Sequence, residues 1–226
     1  MPRPEITVLD RGFVRLIDHM GTDLTVVNAA RVSFGKRRES FDAKDAELVD
    51  YLALNEHTAP FRHAYLTFHV KAPIFVFRQW MKHRIASDFN EISGRYVEFR
   101  EDEFFVPAHF RQQAKINKQG SEGELAEGHR KAALAAFMEA CQQSVTQYKK
   151  LIELGVCREQ ARCVLPLGLY SEVYWTASLQ AVAHFLHLRL DSHAQWEIRQ
   201  YAQAVRELTE PLFPVGLTAL MKAPAV

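Results

Sequence analysis

The sequence predicts an α+β fold of a single domain, an antiparallel sheet packed with long helices. Three observations lead to it. Residues 65–70 and 170–176 alternate their side chains with the two-residue period of a strand. Residues 124–154 and 178–190 instead space their apolar residues at helical intervals. No internal repeat divides the chain, and its 226 residues suffice for one large core, so residues 1–226 are read as one domain.

Taken in order, residues 6–9 and 13–17 are short β-prone runs around Asp10, Arg11 and Gly12, which reads as a hairpin or bent edge strand. Residues 28–33 close a short helix. Asp42 suits the cap of a helix that turns Leu48, Val49 and Leu52 to one face and ends near residues 55–57. Ala59 and Pro60 mark a boundary before the strand at 65–70. Pro73 is placed as the first residue of a helix running to about Arg84. On it Arg78 and Lys82, and likewise Gln79 and His83, stand four apart, so two polar stripes face one cleft. Residues 91–95 contain Gly94 and read as a turn.

Residues 101–120 are expected to form a loop with some helix. A long helix spans 124–154, stopped by Gly155, and serves as a scaffold or oligomer helix. A short helix through 158–164 ends before Pro166. After the strand at 170–176 and the helix at 178–190, residues 191–193 start or continue another helix, with Trp196, Tyr201, Val205 and Leu208 on its apolar face, ended by Pro211 and Pro214.

Composition narrows the function. With 48% hydrophobic and 24% charged residues the chain reads as globular, and no apolar run reaches bilayer length. The first five residues lack the hydrophobic segment of a signal peptide, so the expected location is cytoplasmic. A formal net charge of +1 argues against nucleic acid as the main partner. Cys141, Cys157 and Cys163 lack paired-ligand or CxxC spacing and are read as small buried hydrophobes.

The densest chemistry lies at residues 77–96. Arg78, Lys82, His83, Arg84 and Arg95 stand there beside Gln79, Asn90, Glu91 and Ser93. Guanidinium, amide and hydroxyl donors in that density suit a ligand with a phosphate and a planar polar ring, although a basic solvated helix face would look similar. Phe77, Trp80 and Met81 among the charges favour the ligand. Arg162, flanked by apolar residues, reads as lying in a largely buried helix, needing either an internal acid or a ligand anion to offset its desolvation. Arg189 and His193 share a helix side only if the helix continues through Asp191. The ten histidines show no metal-ligand spacing, and neither GxGxxG nor GxxxxGK[ST] occurs. A nucleotide or flavin would therefore have to be held by arginines, histidines and helix ends spread along the chain.

Residues 82–96, Lys-His-Arg-Ile-Ala-Ser-Asp-Phe-Asn-Glu-Ile-Ser-Gly-Arg-Tyr, resemble the signature RHRxxSxNExSxRY of the flavin-dependent thymidylate synthases. The likeness extends to residues 12–13, 29–34, 57–61, 68–80, 161–166 and 188–198. It implies conversion of dUMP to dTMP, with 5,10-methylenetetrahydrofolate as carbon donor and FAD, recharged by NADPH, as reductant. It implies a nucleotide held by Arg78, Gln79, Glu91, Ser93, Gly94, Arg95, Arg162 and Arg189, with Arg162, Arg95 and Ser93 acting in catalysis. Flavin contacts are implied for Ser33, His57, Lys82, His83, Arg84, Ile85 and His193, and for Ser178, Gln180 and His184, which stand where Asn, Arg and Asn are often seen. A homotetramer with intersubunit active sites, no metal and no cysteine nucleophile complete what the resemblance implies.

The chain departs from that pattern mainly on the flavin side. Lys82 replaces an arginine and loses its planar fork. Asp88 and Phe89 fill a place where the signature has one residue, which predicts a bulge or a shifted register, with Asp88 near anionic ligands. Ala59 and Arg62 stand where many relatives show a hydroxyl residue and an acid. A flavin-dependent pyrimidine hydroxymethylase, a nucleotide-binding protein without flavin, and a metal-dependent hydrolase are the competing readings.

Overall fold

The computed structural model describes residues 3–99, 103–116 and 119–224. Strands β1 (Glu5–Val8) and β2 (Gly12–Met20) form the predicted hairpin, in antiparallel register with Val8 opposite Gly12. A Cβ at Gly12 would lie 2.0 Å from the Tyr201 hydroxyl, 2.7 Å from the Lys71 carbonyl and 2.8 Å from the Val8 carbonyl. Only glycine fits there.

Helix α1 (Asp23–Arg31) opens with a capping box from Thr22 and runs into a 3-10 turn at Val32–Phe34. Helix α2 (Ala43–Leu54) starts as the sequence predicts, with the Asp42 carboxylate accepting from the Asp45 amide. Strand β3 (Tyr65–Pro73) leads directly into helix α3 (Ile74–Trp80), and the chain then returns as β4 (Ser87–Glu91). A small hairpin of β5 (Arg111–Gln113) and β6 (Ser121–Glu124) precedes the long helix α4 (Glu127–Glu153). Helix α5 (Arg158–Ala161), a 3-10 turn at Arg162–Val164 and β7 (Tyr170–Ser178) follow. Helices α6 (Leu179–Leu190), α7 (Trp196–Thr209) and α8 (Pro214–Lys222) close the described chain.

The main sheet is antiparallel throughout, in the order β1-β2-β3-β7-β4. Period two decides which residues are covered. Val14, Leu66, Phe68, Val70, Val173 and Trp175 are buried on one face, under Phe185 and Leu186 of α6 and Tyr201 of α7. Arg15, His69, Lys71, Glu172 and Tyr174 stand on the other, as an antiparallel sheet permits. This architecture is the predicted one: α+β, one domain, antiparallel sheet with long helices.

Several local expectations are corrected. Pro73 ends β3 rather than opening a helix, and α3 stops at Trp80, so Lys82 and His83 are not on a helical stripe with Arg78 and Gln79. The segment 87–91 is a strand, because its backbone pairs with the edge of β7. Its register is continuous, with Asp88 opposite Thr176 and Phe89 opposite Trp175, so the extra residue makes no bulge within β4. Among the described residues of 101–120 there is a short strand and an isolated bridge but no helix, while residues 101, 102, 117 and 118 lie outside the described set. Pro214 starts α8, since a helix's first turn has no use for that missing N–H. Cys141 is buried as expected, whereas Cys157 and Cys163 are exposed beside the short helix α5.

Replacing Gly12 by alanine should cost about 3 kcal/mol, because two of the three clashing atoms are backbone and cannot yield. Chemical denaturation checks this; an unchanged midpoint would contradict the packing described.

Candidate active site

Most of the sequence-predicted site residues gather in two patches at opposite ends of β4. The first is built on the end of α3. Trp80 is fully buried, and the chain turns sharply after it. The His83 amide donates to the Trp80 carbonyl at 3.0 Å, the Ser87 hydroxyl donates to the His83 carbonyl, and Ala86 adopts a left-handed φ of 51°. The turn drives the His83 ring inward, edge-on to Phe185 with centroids 5.2 Å apart, and leaves Lys82, Arg84 and Ile85 exposed.

Arg189 on α6 locks this arrangement. Its Nε donates to His83 Nε2 at 3.0 Å and its Nη2 to the Gln79 backbone carbonyl at 3.3 Å. A guanidinium has no acceptor, so His83 Nε2 must be unprotonated and its single proton sits on Nδ1. Burial, then the Arg189 charge and His184, pull the His83 pKa down from 6.5 to about 4. A neutral imidazole and a guanidinium can therefore share this wall.

Beside them a cavity of about 340 Å³ is lined by Lys82, Arg84, Ile85, Gln180, His184 and Leu188, among others. His184 Nδ1 is buried with no hydrogen-bond partner, an orphaned polar atom in the wall. Cations, an amide and an unsatisfied imidazole nitrogen around an apolar floor fit an anionic, ring-bearing cofactor.

The second patch lies where β4 ends. Glu91 Oε1 accepts from the Ser171 hydroxyl at 2.6 Å, which orients the carboxylate from the neighbouring strand. The Tyr96 and Val97 amides both donate to the Ser93 carbonyl, at 2.9 and 3.1 Å, and form the predicted tight turn. Gly94 sits where a Cβ would be 2.4 Å from the Phe99 ring and 3.3 Å from Arg162 Cδ, so backbone and arginine approach closely there. Arg95 is paired with Glu159 at 3.3 Å, and Arg158 with Glu98 at 2.8 Å. Both pairs are exposed, so they hold little energy and leave the guanidinium groups available. Arg162 is itself exposed, contrary to the expectation of a largely buried helix, because α5 and its 3-10 turn lie on the surface.

No hydrogen bond or ion pair joins the two patches among the described residues. Along β4 they stand about 13 Å apart at the usual rise per residue. Arg78 is exposed on α3, beside Gln79 in sequence. Ser33 is exposed in the turn after α1, and His57 is exposed beyond α2 with its ring edge-on to Tyr51. The Ser178 hydroxyl is fully buried and caps α6 by accepting from the Ala181 amide at 3.2 Å. His193 is exposed and bonded through Nδ1 to Asp191 at 2.9 Å; α6 ends at Leu190, so Arg189 and His193 do not share a continuous helix. Ser171, Gln195 and Glu197, in contact with Glu91 or Gln79 or one step removed, were not singled out from the sequence. Among the described residues no three metal-ligating side chains come together, and no helix is long and apolar enough to cross a membrane.

Residues 15–215 match the family described as thymidylate synthase complementing protein. A flavin-dependent thymidylate synthase of Thermus thermophilus is 52% identical over 214 residues, covering 95% of this chain and 77% of that protein. The chain belongs to the flavin-dependent thymidylate synthase family. Another such synthase, from Thermosipho africanus, is 45% identical over 218 residues, covering 96% of this chain and 94% of its own length. The crystal structure of the UMP/dUMP methylase PolB from Streptomyces cacaoi bound with 5-Br dUMP superposes with a TM-score of 0.84 at 34% identity, covering 98% of this chain and 99% of that one. The family's fold is thus the fold described above.

His83 makes a measurable contribution to acid sensitivity. Between pH 6.5 and 4 the unfolded chain binds a proton that the folded His83 refuses, so stability falls as pH drops through this window, by up to about 3 kcal/mol. Urea unfolding at several pH values checks it: His83→Gln, which keeps an acceptor for Arg189, should flatten the slope, and an equal slope would contradict the assignment.

Proposed function

We propose that this chain is a flavin-dependent thymidylate synthase that converts dUMP to dTMP, taking the carbon from 5,10-methylenetetrahydrofolate and reducing equivalents from NADPH through FAD. The observation that carries the reading is the division of its anion-binding residues between two patches at the ends of β4, each too small a set to enclose a nucleotide. Arg78, Gln79 and Arg189 form one half of a nucleotide site; Glu91, Ser93, Gly94, Arg95 and Arg162 form the other. A homotetramer in which the second patch of one copy meets the first patch of its neighbour completes it.

In that assembly Arg78 and Arg189 hold the phosphate through paired donors, and Gln79 and Glu91 orient the sugar and base. Arg162 and Arg95 face the uracil oxygens, where their charge lowers the cost of negative charge developing on the ring, with Ser93 fixing the turn that presents them. FAD bound along Lys82, His83, Arg84, Ile85, Gln180 and His184, with Ser33, His57 and His193 from the flanking turns, supplies the hydride chemistry. Ser178 supports this wall through the α6 cap. Neutral His83 matters here: it can donate from Nδ1 without adding a charge, and Arg189 keeps its charge for the nucleotide. In this reading carbon transfer belongs to folate and flavin, and Cys157 and Cys163, free and exposed beside α5, are given no nucleophilic role.

Because PolB is described as a UMP/dUMP methylase, the ribonucleotide is the second substrate to test. The decisive assay mixes chemically reduced, FAD-loaded protein with methylenetetrahydrofolate and either dUMP or UMP under anaerobic conditions. Formation of dTMP in step with flavin oxidation is expected from dUMP. A hydroxymethylated product, or no product from a protein that holds FAD, would overturn the reading.

A further inference from the structure

At the start of α7 a line of polar side chains runs from Gln79 into the body of the molecule. Gln79 Nε2 donates to Gln195 Oε1 at 2.7 Å, and Gln195 Nε2 donates to Glu197 Oε2 at 2.9 Å. Glu197 is buried, and Arg111 of the β5–β6 hairpin donates from Nη2 to its two oxygens at 2.8 and 3.1 Å. Arg111 is fixed in turn by its Nε, which donates to the Ser121 hydroxyl at 3.0 Å, and by the Trp196 ring, whose centroid lies 5.6 Å from Cζ.

The chemistry of this line has a direction. A carboxylate accepts hydrogen bonds and donates none, so Gln195 must turn its nitrogen to Glu197 and its oxygen to Gln79. Gln79 must then give its nitrogen to Gln195, and its own oxygen is left for a ligand. Two amides in contact could both rotate half a turn and bond equally well. The acid at the far end removes that freedom, and the buried ion pair with Arg111 keeps the acid in place.

We propose that Glu197, clamped by Arg111, is a positioning residue that sets the orientation of Gln195 and Gln79, so that Gln79 presents a hydrogen-bond acceptor to the nucleotide. This rests on the reading of Gln79 as a nucleotide contact. It selects for a donor on the nucleotide: the ring N3–H or a sugar hydroxyl.

Calorimetric titration of the full chain with dUMP, its N3-methyl analogue and its 3′-deoxy analogue tests the proposal. One analogue should bind wild type at least about tenfold more weakly than dUMP, the loss expected when a buried acceptor is left unmet. In Glu197→Gln that penalty should shrink to near unity, since Gln195 can then present either end, while the FAD dissociation constant stays unchanged. Gln195→Met, at an exposed position that leaves the Arg111–Glu197 pair intact, should remove the penalty in the same way even if Glu197→Gln fails to fold. A wild type that binds both analogues as well as dUMP, or a penalty that persists in full in the folded variants, overturns the inference alone. A wild type that does not bind dUMP overturns the functional reading and this inference with it.

Discussion

The indole of Trp80 is stacked on Phe185 with ring centroids 4.5 Å apart and meets Trp175 edge-on at 5.2 Å, and both patches of the site take their positions from that contact. Burying an aromatic side chain of this size is worth about 2–3 kcal/mol from area alone, which anchors the C-terminal end of α3 on the core. The chain leaves α3 after this anchor, turns tightly, and re-enters the sheet at Ser87 beside β7. His83 falls against the same Phe185 on the way. Every residue of β4 is then fixed in register, and with it the location of Glu91 and the turn that follows.

The two patches differ in electrostatic character because they differ in burial. Around His83 and Arg189 the surroundings are apolar, and the imidazole gives up its proton rather than sit charged beside a guanidinium. Around Arg95 and Arg162 the groups are exposed, and the Arg95–Glu159 and Arg158–Glu98 ion pairs are the weak, exchangeable kind. A site assembled from both joins a rigid wall to an adaptable one. In the proposed assembly, ligand and a second copy of the chain would exclude water from the second wall, which is when its charges would gain strength.

Sequence reading succeeds here where local chemistry decides structure. The Asp42 cap, the β1–β2 hairpin and the alternation in β3 and β7 are all local signals, and all four elements occur. It fails where distant residues decide. Ser-Asp-Phe-Asn-Glu at 87–91 has no strand pattern of its own and pairs because β7 offers it an edge. The helical period continues past Trp80 in sequence, yet the helix ends there and the His83 amide turns back onto the Trp80 carbonyl. Candidate site residues in the signature are named by resemblance, but their division into two patches is a property of the sheet, and Glu197 looks like an ordinary helix acid until Arg111 is seen upon it.

The central claim is that a working site joins the first patch of one copy to the second patch of another. Co-expressing Arg189→Met and Arg162→Met chains under different tags, isolating the mixed oligomer and measuring dTMP formation tests it directly. Each variant alone should be inactive, and the mixed oligomer should recover activity, because some of its sites pair an intact patch from each parent. A mixed oligomer as inactive as its parents, with a doubly tagged wild-type oligomer active in the same assay, would contradict the account.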